Sequence, residues 1–146
     1  MHVVFILANH SSAPYFNWFA EYSSGDSDLK FSFINLCSTR PIMIDEVGRW
    51  GCDCHWIPYN NMYRKSEIPI ATLKLYRLLK KIRPDIVHSH LFDDSLMGMI
   101  ASKFAGIKMR VITKGDTGFH YNNTPIWVKM DKLNNANSTH IIAISE

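Results

Sequence analysis

The chain of 146 residues has little net charge, few cysteines and no long apolar run. Lys and Arg exceed Asp and Glu by 16 − 13 = 3, an excess too small and too scattered to indicate nucleic-acid binding. Nothing approaches the ~18 uninterrupted apolar residues of a membrane-spanning helix. The apolar run at residues 3–8 also lacks the basic flank and the cleavage site of a signal peptide. We therefore expect a cytoplasmic protein that binds no nucleic acid.

Patterns of cysteine and metal ligands are equally sparse. The three cysteines, Cys37, Cys52 and Cys54, are odd in number and clustered early, which argues against a disulfide framework. Cys52 and Cys54 have no second ligand pair at a zinc-binding spacing. With 47% hydrophobic and 20% charged residues, the composition is that of a globular domain. We expect reduced thiols that are buried or half-buried, and no metal.

Apolar, strand-like runs alternate with segments of helical period along the chain. The predicted strands cover residues 2–8, 29–36, 53–58, 85–88, 108–113 and 139–144. The predicted helices cover residues 14–22, 41–50, 69–82, 94–105 and 125–135, with Ser12 capping the first, Asp93 or Asp94 capping the fourth, and a polar loop over Tyr59–Glu67. Strands that alternate with helices of this length form a parallel sheet covered on both faces. We predict one α/β domain over residues 1–146, with a doubly wound sheet of about six strands in three layers, α/β/α.

In such sheets ligands bind beyond the carboxyl ends of the strands, which selects three loops here. The first loop carries Asn9, His10, Ser11 and Ser12 at a predicted helix start, where free backbone N–H groups suit an anion. It contains no glycine, so neither the G-x-G-x-x-G nor the G-x-x-x-x-G-K-[ST] pattern is present. Two interpretations stand: an anion-binding loop, or a helix capped by Ser12 beside a solvated His10.

The second loop follows the fourth predicted strand and contains His88, His90, Asp93 and Asp94. An H-x-H pair on a strand places both imidazoles on one face, as metal ligands require, but no third ligand is placed. The alternative, which we favour for His88, is a hydrogen-bonded core histidine with only His90 at the strand end. Asp93 and Asp94 are candidates for a base or a hydroxyl-binding pair, and helix capping by one of them is the alternative.

The third loop combines Lys114, Asp116, His120 and Tyr121 with two glycines. A cation, a carboxylate and an imidazole on such a loop can fold over a phosphorylated or polyhydroxylated ligand, and histidine exchanges protons near neutral pH. The alternative is a surface loop whose charges are solvated. Because three polar loops converge at one edge of the sheet, we favour a binding site.

One helix face gathers the cations Lys74, Arg77, Lys80 and Lys81. A solvated face is the ordinary interpretation of such a cluster. Contact with anionic lipid headgroups is the alternative, and it would place the protein peripherally at the inner face of the membrane.

Six segments in the second half of the chain match, in order, the sequence pattern of one known protein family: Arg83–Phe92, Leu96–Ala101, Ala105–Ile107, Arg110–Thr113, Asp131–Asn134 and His140–Glu146. Together they resemble the N-terminal domain of family 4-type glycosyltransferases with the GT-B fold. The resemblance implies a Rossmann-like, acceptor-binding domain, with the nucleotide-sugar donor held by a separate C-terminal domain. It also implies a sugar or lipid-linked acceptor, a role in cell envelope polysaccharide biosynthesis, and chemistry without a metal or cofactor.

Two departures from the family pattern shape the expected site. Gly115 stands where members commonly carry a histidine, so either His120, Asp116 or His90 takes over the catalytic role, or the domain is a divergent member with altered activity. The chain also ends at Glu146, where the family continues toward its donor-binding domain, and we expect it to be inactive alone. The expected acceptor-binding residues are Asn9, His10, Ser11, Ser12, Asp93, Asp94, Lys114 and Tyr121.

Two hypotheses from other classes remain beside the transferase. One is a stand-alone Rossmann-like module that binds a small ligand or a partner, and the other is half of a nucleotide-sugar epimerase. A second βαβ domain with acidic and basic residues aimed at a diphosphate would favour the transferase over the module.

Overall fold

The computed structural model describes residues 1–8, 11, 13–115 and 125–144, in which strands and helices alternate. The strands are β1 (His2–Leu7), β2 (Lys30–Cys37), β3 (Asp53–Pro58), β4 (Ile86–Ser89), β5 (Met109–Lys114) and β6 (His140–Ala143). The helices are α1 (Pro14–Ser24), α2 (Met43–Gly48), α3 (Arg64–Ile82), α4 (Phe92–Ala105) and α5 (Pro125–Asn137), and a 3-10 helix (Asn61–Tyr63) precedes α3. Across these segments no helix combines the length and hydropathy needed to cross a bilayer.

The strands form a single sheet in the order β3-β2-β1-β4-β5-β6, and every neighbouring pair is parallel. The chain winds outward from β1 to β3 and then returns to β4 on the other side of β1. This reversal makes the β1–β4 boundary the topological switch point, where α/β sheets open a crevice for ligands. The predicted α/β class, the doubly wound parallel sheet and the three Rossmann-like layers are confirmed.

The central strand β1 is buried on both faces, which explains its unbroken apolar run. Val3, Phe5 and Leu7 pack against α1 and α2, whereas Val4 and Ile6 pack against α3 and α4. Two separate apolar clusters therefore lie on opposite faces of the sheet. The cysteines are free thiols, with Cys37 buried and the other two half-buried, as expected.

Helix α3 starts earlier than predicted. It begins at Arg64, so the loop predicted over Tyr59–Glu67 is wrong, and Pro69 lies inside the helix rather than at its start. Two contacts hold the extra turn in place: the Arg64 side chain bonds to Asp93, and Ile68 packs on the core. Tertiary contacts thus override the local signal of a proline.

Helix starts are also where the predicted caps differ from the structure. The residue at the N-cap of α4 is Leu91, and Asp93 and Asp94 lie buried within the first turn. The prediction that Asp93 or Asp94 occupies the cap is therefore wrong, although acidic residues there still suit the helix dipole. Ala13 precedes α1 and Pro14 opens it, while Ser12, the predicted cap, lies outside the described residues.

Candidate functional site

The structure describes part of the predicted site. Placed within it are Ser11, His90, Asp93, Asp94 and Lys114. Outside the described residues lie Asn9, His10, Ser12, Asp116, His120 and Tyr121. The described part of the predicted site is therefore the β4–α4 junction and the strand ends around it.

A cavity of about 430 Å³ opens at the carboxyl ends of β1, β4 and β5. Its walls include Leu7, Tyr15, Phe16, His90, Asp94 and Thr113. The cavity therefore lies at the switch point, with apolar and aromatic walls and a few polar groups, as small-molecule sites have. Neither Tyr15 nor Phe16 is among the site residues that the sequence predicts.

His90 lies in the cavity wall, packed between two other rings. Its ring lies edge-on to Phe16 at 5.0 Å and tilted against His88 at 4.3 Å between centroids. The buried Nε2 atom has no hydrogen-bond partner within the part of the chain that is described. Burial, and secondarily the neighbouring His88, lower the pKa of His90 to about 4. His90 is thus neutral near pH 7, and its Nε2 atom has a hydrogen-bonding capacity that no described residue uses.

His88 has a different environment on the same face of the sheet. Its Nε2 atom lies 2.8 Å from the Thr113 hydroxyl on β5, and burial lowers its pKa to about 4. The hydrogen bond predicted for His88 is confirmed, although its ring is half-buried and not part of the buried core. The described segments contain no group of three or more His, Cys, Asp or Glu side chains placed to hold a metal ion.

Asp94 is fully buried at the inner end of the cavity. Its carboxylate accepts hydrogen bonds from the backbone N–H of Ala8 at 3.2 Å and of Ser95 at 3.0 Å. Burial raises the pKa of Asp94 to about 6, even though these N–H groups favour the charged form. Asp94 thereby ties the end of β1 to the start of α4 and fixes the two elements that frame the cavity.

Asp93, one residue earlier, faces a separate network. Its Oδ2 atom accepts hydrogen bonds from the Tyr59 hydroxyl at 2.8 Å and from Arg64 Nε at 2.9 Å. The Arg64 guanidinium lies over the Trp127 ring at 4.9 Å, in cation–π geometry. Burial and then the Asp93 carboxylate raise the pKa of Tyr59. This network could not be predicted from the sequence, because its members come from three distant segments.

Lys114 and Ser11 complete the described set. Lys114 Nζ lies 2.8 Å from both carboxylate oxygens of Asp131, so this ion pair ties the end of β5 to α5. Ser11 is exposed beside the carboxyl end of β1. The ammonium of Lys114 is engaged within the fold, and its predicted contact with an acceptor stays a prediction.

The parallel sheet, with its cavity at the switch point, defines a doubly wound α/β domain. Residues 4–145 match the family model described as Glycosyl transferase 4-like, and the chain belongs to this family. The predicted resemblance to glycosyltransferases is confirmed. A comparison with curated proteins finds no match.

Solved structures share the fold at low sequence identity. MurG from Acinetobacter baumannii aligns with a TM-score of 0.69 and 13% identity, covering 99% of this chain and 41% of that one. The UDP-GlcNAc 2-epimerase from Methanocaldococcus jannaschii gives a TM-score of 0.70 and 13% identity, covering 99% and 40%. The chain thus spans about two fifths of the length of these structures. At this identity the likeness shows the fold alone.

Proposed function

We propose that this chain is the acceptor-binding domain of a glycosyltransferase that moves a sugar from a nucleotide-sugar donor to a sugar or lipid-linked acceptor. The observation that carries the proposal is the His90 ring in the cavity wall, whose buried Nε2 atom has no hydrogen-bond partner among the described residues. A neutral imidazole in an apolar, aromatic pocket suits a hydroxyl group next to the carbon face of a sugar ring. Membership of the glycosyltransferase family supports the reaction class.

The proposed roles divide by position. His90, with Asp116 and His120 from the third loop, would orient the acceptor hydroxyl and handle its proton. Asp94 would contact the acceptor from the cavity wall. Asp93 and Lys114 would stabilise the elements around the cavity, since both are engaged in ion pairs. The remaining proposed acceptor contacts are Asn9, His10, Ser11, Ser12 and Tyr121.

The nucleotide-sugar donor would bind to a domain other than this one. One aligned structure, the UDP-GlcNAc 2-epimerase from Neisseria meningitidis, is described as bound to UDP-GlcNAc. In our proposal a separate donor-binding domain supplies the nucleotide sugar, and the 146 residues alone transfer none. Half of a nucleotide-sugar epimerase remains the second candidate, because epimerases share this fold as closely as MurG does.

Peripheral contact with the inner face of a membrane is a further part of the proposal. Lys74, Arg77, Lys80 and Lys81 are all exposed along α3, and exposed cations on one helix attract anionic headgroups. Such a contact would suit a lipid-linked acceptor.

The test is binding of neutral monosaccharides (glucose, galactose, mannose and N-acetylglucosamine) and of UDP-GlcNAc, followed by NMR of the histidine imidazoles. The matched variant is His90→Phe, which keeps a ring between His88 and Phe16 but removes both nitrogens. We expect at least one monosaccharide to shift the His90 signals and the variant to lose that binding. No monosaccharide binding, or equal binding by His90→Phe, would overturn the acceptor site. UDP-GlcNAc binding about tenfold tighter than that of any free sugar would favour the epimerase.

A further inference from the structure

The outer side of α1 carries three aromatic residues at helical spacing. Tyr15, Trp18 and Tyr22 stand at positions i, i+3 and i+7 and share one side of the helix. They are 48%, 67% and 68% exposed, whereas Phe16 and Ala20 on the inner side are buried. A helix rises about 1.5 Å per residue, so this aromatic stripe is roughly 10 Å long. Three large exposed rings in one row need an explanation, because isolated exposed apolar residues are common but rows are not.

The aromatic stripe is continuous with the cavity. Tyr15 belongs to both, since it lines the cavity and lies 6.2 Å from the His90 ring between centroids. The rings of Tyr15 and Phe19 contact each other edge to face, with 4.7 Å between their centroids. From Tyr15 the row continues through Trp18 to Tyr22, away from the carboxyl edge of the sheet. A molecule held in the cavity and longer than one ring can therefore extend along the stripe.

The charge distribution favours a neutral occupant. Helix α1 contains no lysine or arginine, and Glu21 is its one charged residue. The exposed cations of α3 lie on the opposite face of the sheet, because α1 and α3 pack on different sides of β1. One flat membrane cannot meet both the stripe and those cations, and an anionic surface finds no cation on α1. A nucleic acid is disfavoured for the same reason.

We propose that the aromatic stripe binds the second and third sugar units of a neutral oligosaccharide whose terminal unit occupies the cavity. This inference rests on the proposed function and specifies its acceptor as an oligosaccharide rather than a single sugar. The C–H faces of a sugar ring carry partial positive charge and stack on the negative faces of Tyr and Trp. The Tyr hydroxyls and the indole N–H supply hydrogen bonds to sugar hydroxyls without adding charge.

The test is an array of neutral glycans, from monosaccharides to hexasaccharides, probed with the full chain and followed by titration of the best ligand. We compare Trp18→Ala and Tyr22→Ala with Phe104→Ala, which removes an equally exposed ring from α4. We expect affinity to rise with chain length up to the trisaccharide. Trp18→Ala should lose about tenfold in affinity for longer glycans and nothing for monosaccharides, and Phe104→Ala should match the native chain.

Three results would overturn the inference. Longer glycans that bind no tighter than monosaccharides leave the cavity site intact but remove the role of the stripe. Equal losses in Trp18→Ala and Phe104→Ala point to a general effect of removing exposed rings. Binding to phosphatidylcholine–phosphatidylglycerol vesicles that Trp18→Ala abolishes, without glycan binding, assigns the stripe to a membrane. Monosaccharide binding and its loss in His90→Phe report separately on the proposed function.

Discussion

Asp93 and Asp94 show how neighbouring identical residues acquire different roles. Successive positions on a helix point about 100° apart, so the first carboxylate meets Arg64 and Tyr59 while the second meets the backbone of Ala8. The sequence predicted that both residues follow the fourth strand, which is correct, but it did not predict that their carboxylates have different partners. Separating them required the positions of β1 and α3, which are distant in the chain.

The two buried histidines predict a pH dependence of stability. Burial lowers the pKa of both His88 and His90 from 6.5 to about 4. Between those values the unfolded chain binds more protons than the folded one, so the free energy of unfolding falls as pH falls from 6.5 to 4. Asp94, with its raised pKa, acts in the opposite direction, whereas His2, whose pKa is also lowered by burial, adds to the effect of the two histidines. His90→Phe should therefore show a shallower decline than the native chain.

Urea unfolding at intervals between pH 4 and pH 7 measures that difference. A control variant, His55→Phe, makes the same substitution in the edge strand β3, away from the cavity. Identical slopes for the native chain and His90→Phe would show that His90 titrates as it does in the unfolded state.

The Asp93 network predicts a stability difference between two salt bridges. Asp93→Ala leaves the Tyr59 hydroxyl and the Arg64 guanidinium without their acceptor, which should lower the free energy of unfolding by about 2 kcal/mol. Asp45→Ala breaks the exposed bidentate pair with Arg40 and should change stability little. Chemical denaturation of both variants tests the comparison. Equal losses would mean that the Asp93 network contributes no more than a surface pair.

At the scale of elements, the strength of the local signal decided how well the sequence predicted each segment. The strand over residues 53–58 was predicted with the bounds it has, and Gly106 ends α4 in the left-handed conformation that glycine favours. The start of α3 was wrong because Pro69 resembles a helix start, whereas contacts of Arg64 and Ile68 extend the helix beyond it. Segments governed by local periodicity are predictable, and segments governed by distant contacts are not.

The packing of α4 on the sheet depends on Gly98. A Cβ atom there would lie 2.4 Å from the Ser89 hydroxyl and 3.1 Å from Ile6 Cδ1. Gly98→Ala should therefore lower the free energy of unfolding by about 1–3 kcal/mol. The Ser89 Oγ atom is buried and has no hydrogen-bond partner among the residues described, so Ser89→Ala should be neutral or stabilising.

A double-mutant cycle identifies the cause of the Gly98→Ala effect. If the clash with Ser89 is responsible, Ser89→Ala should rescue part of the loss, with a coupling energy on the order of 1 kcal/mol. Gly48→Ala in α2, where a Cβ meets nothing within 4 Å, serves as the control and should not destabilise. A native-like stability of Gly98→Ala would show that α4 shifts freely on the sheet.

At the scale of the whole molecule, the sheet order explains why the site was only partly predictable. The alternation of strands and helices predicts parallel strands and therefore which loops share an edge. It does not predict that β1 and β4 are neighbours, which is what brings Tyr15 to His90 and Asp94 to Ala8. His90 and Asp94 follow the fourth predicted strand and could be predicted, whereas the aromatic wall comes from α1 and could not.

The edge strand β6 predicts how the whole molecule behaves in concentrated solution. All of its residues are exposed, Ile141 and Ile142 present large apolar side chains, and no further strand of the described residues pairs with its outer edge. Exposed apolar edge strands pair with other chains, so the 146-residue chain should self-associate as its concentration rises. Ile142→Glu should lower that association without lowering the melting temperature, because the side chain is exposed. Ile70→Glu, an equally exposed position on α3, should leave it unchanged. Sedimentation velocity over a concentration series measures the association, and a native chain that stays monomeric throughout would show that β6 does not pair with other chains.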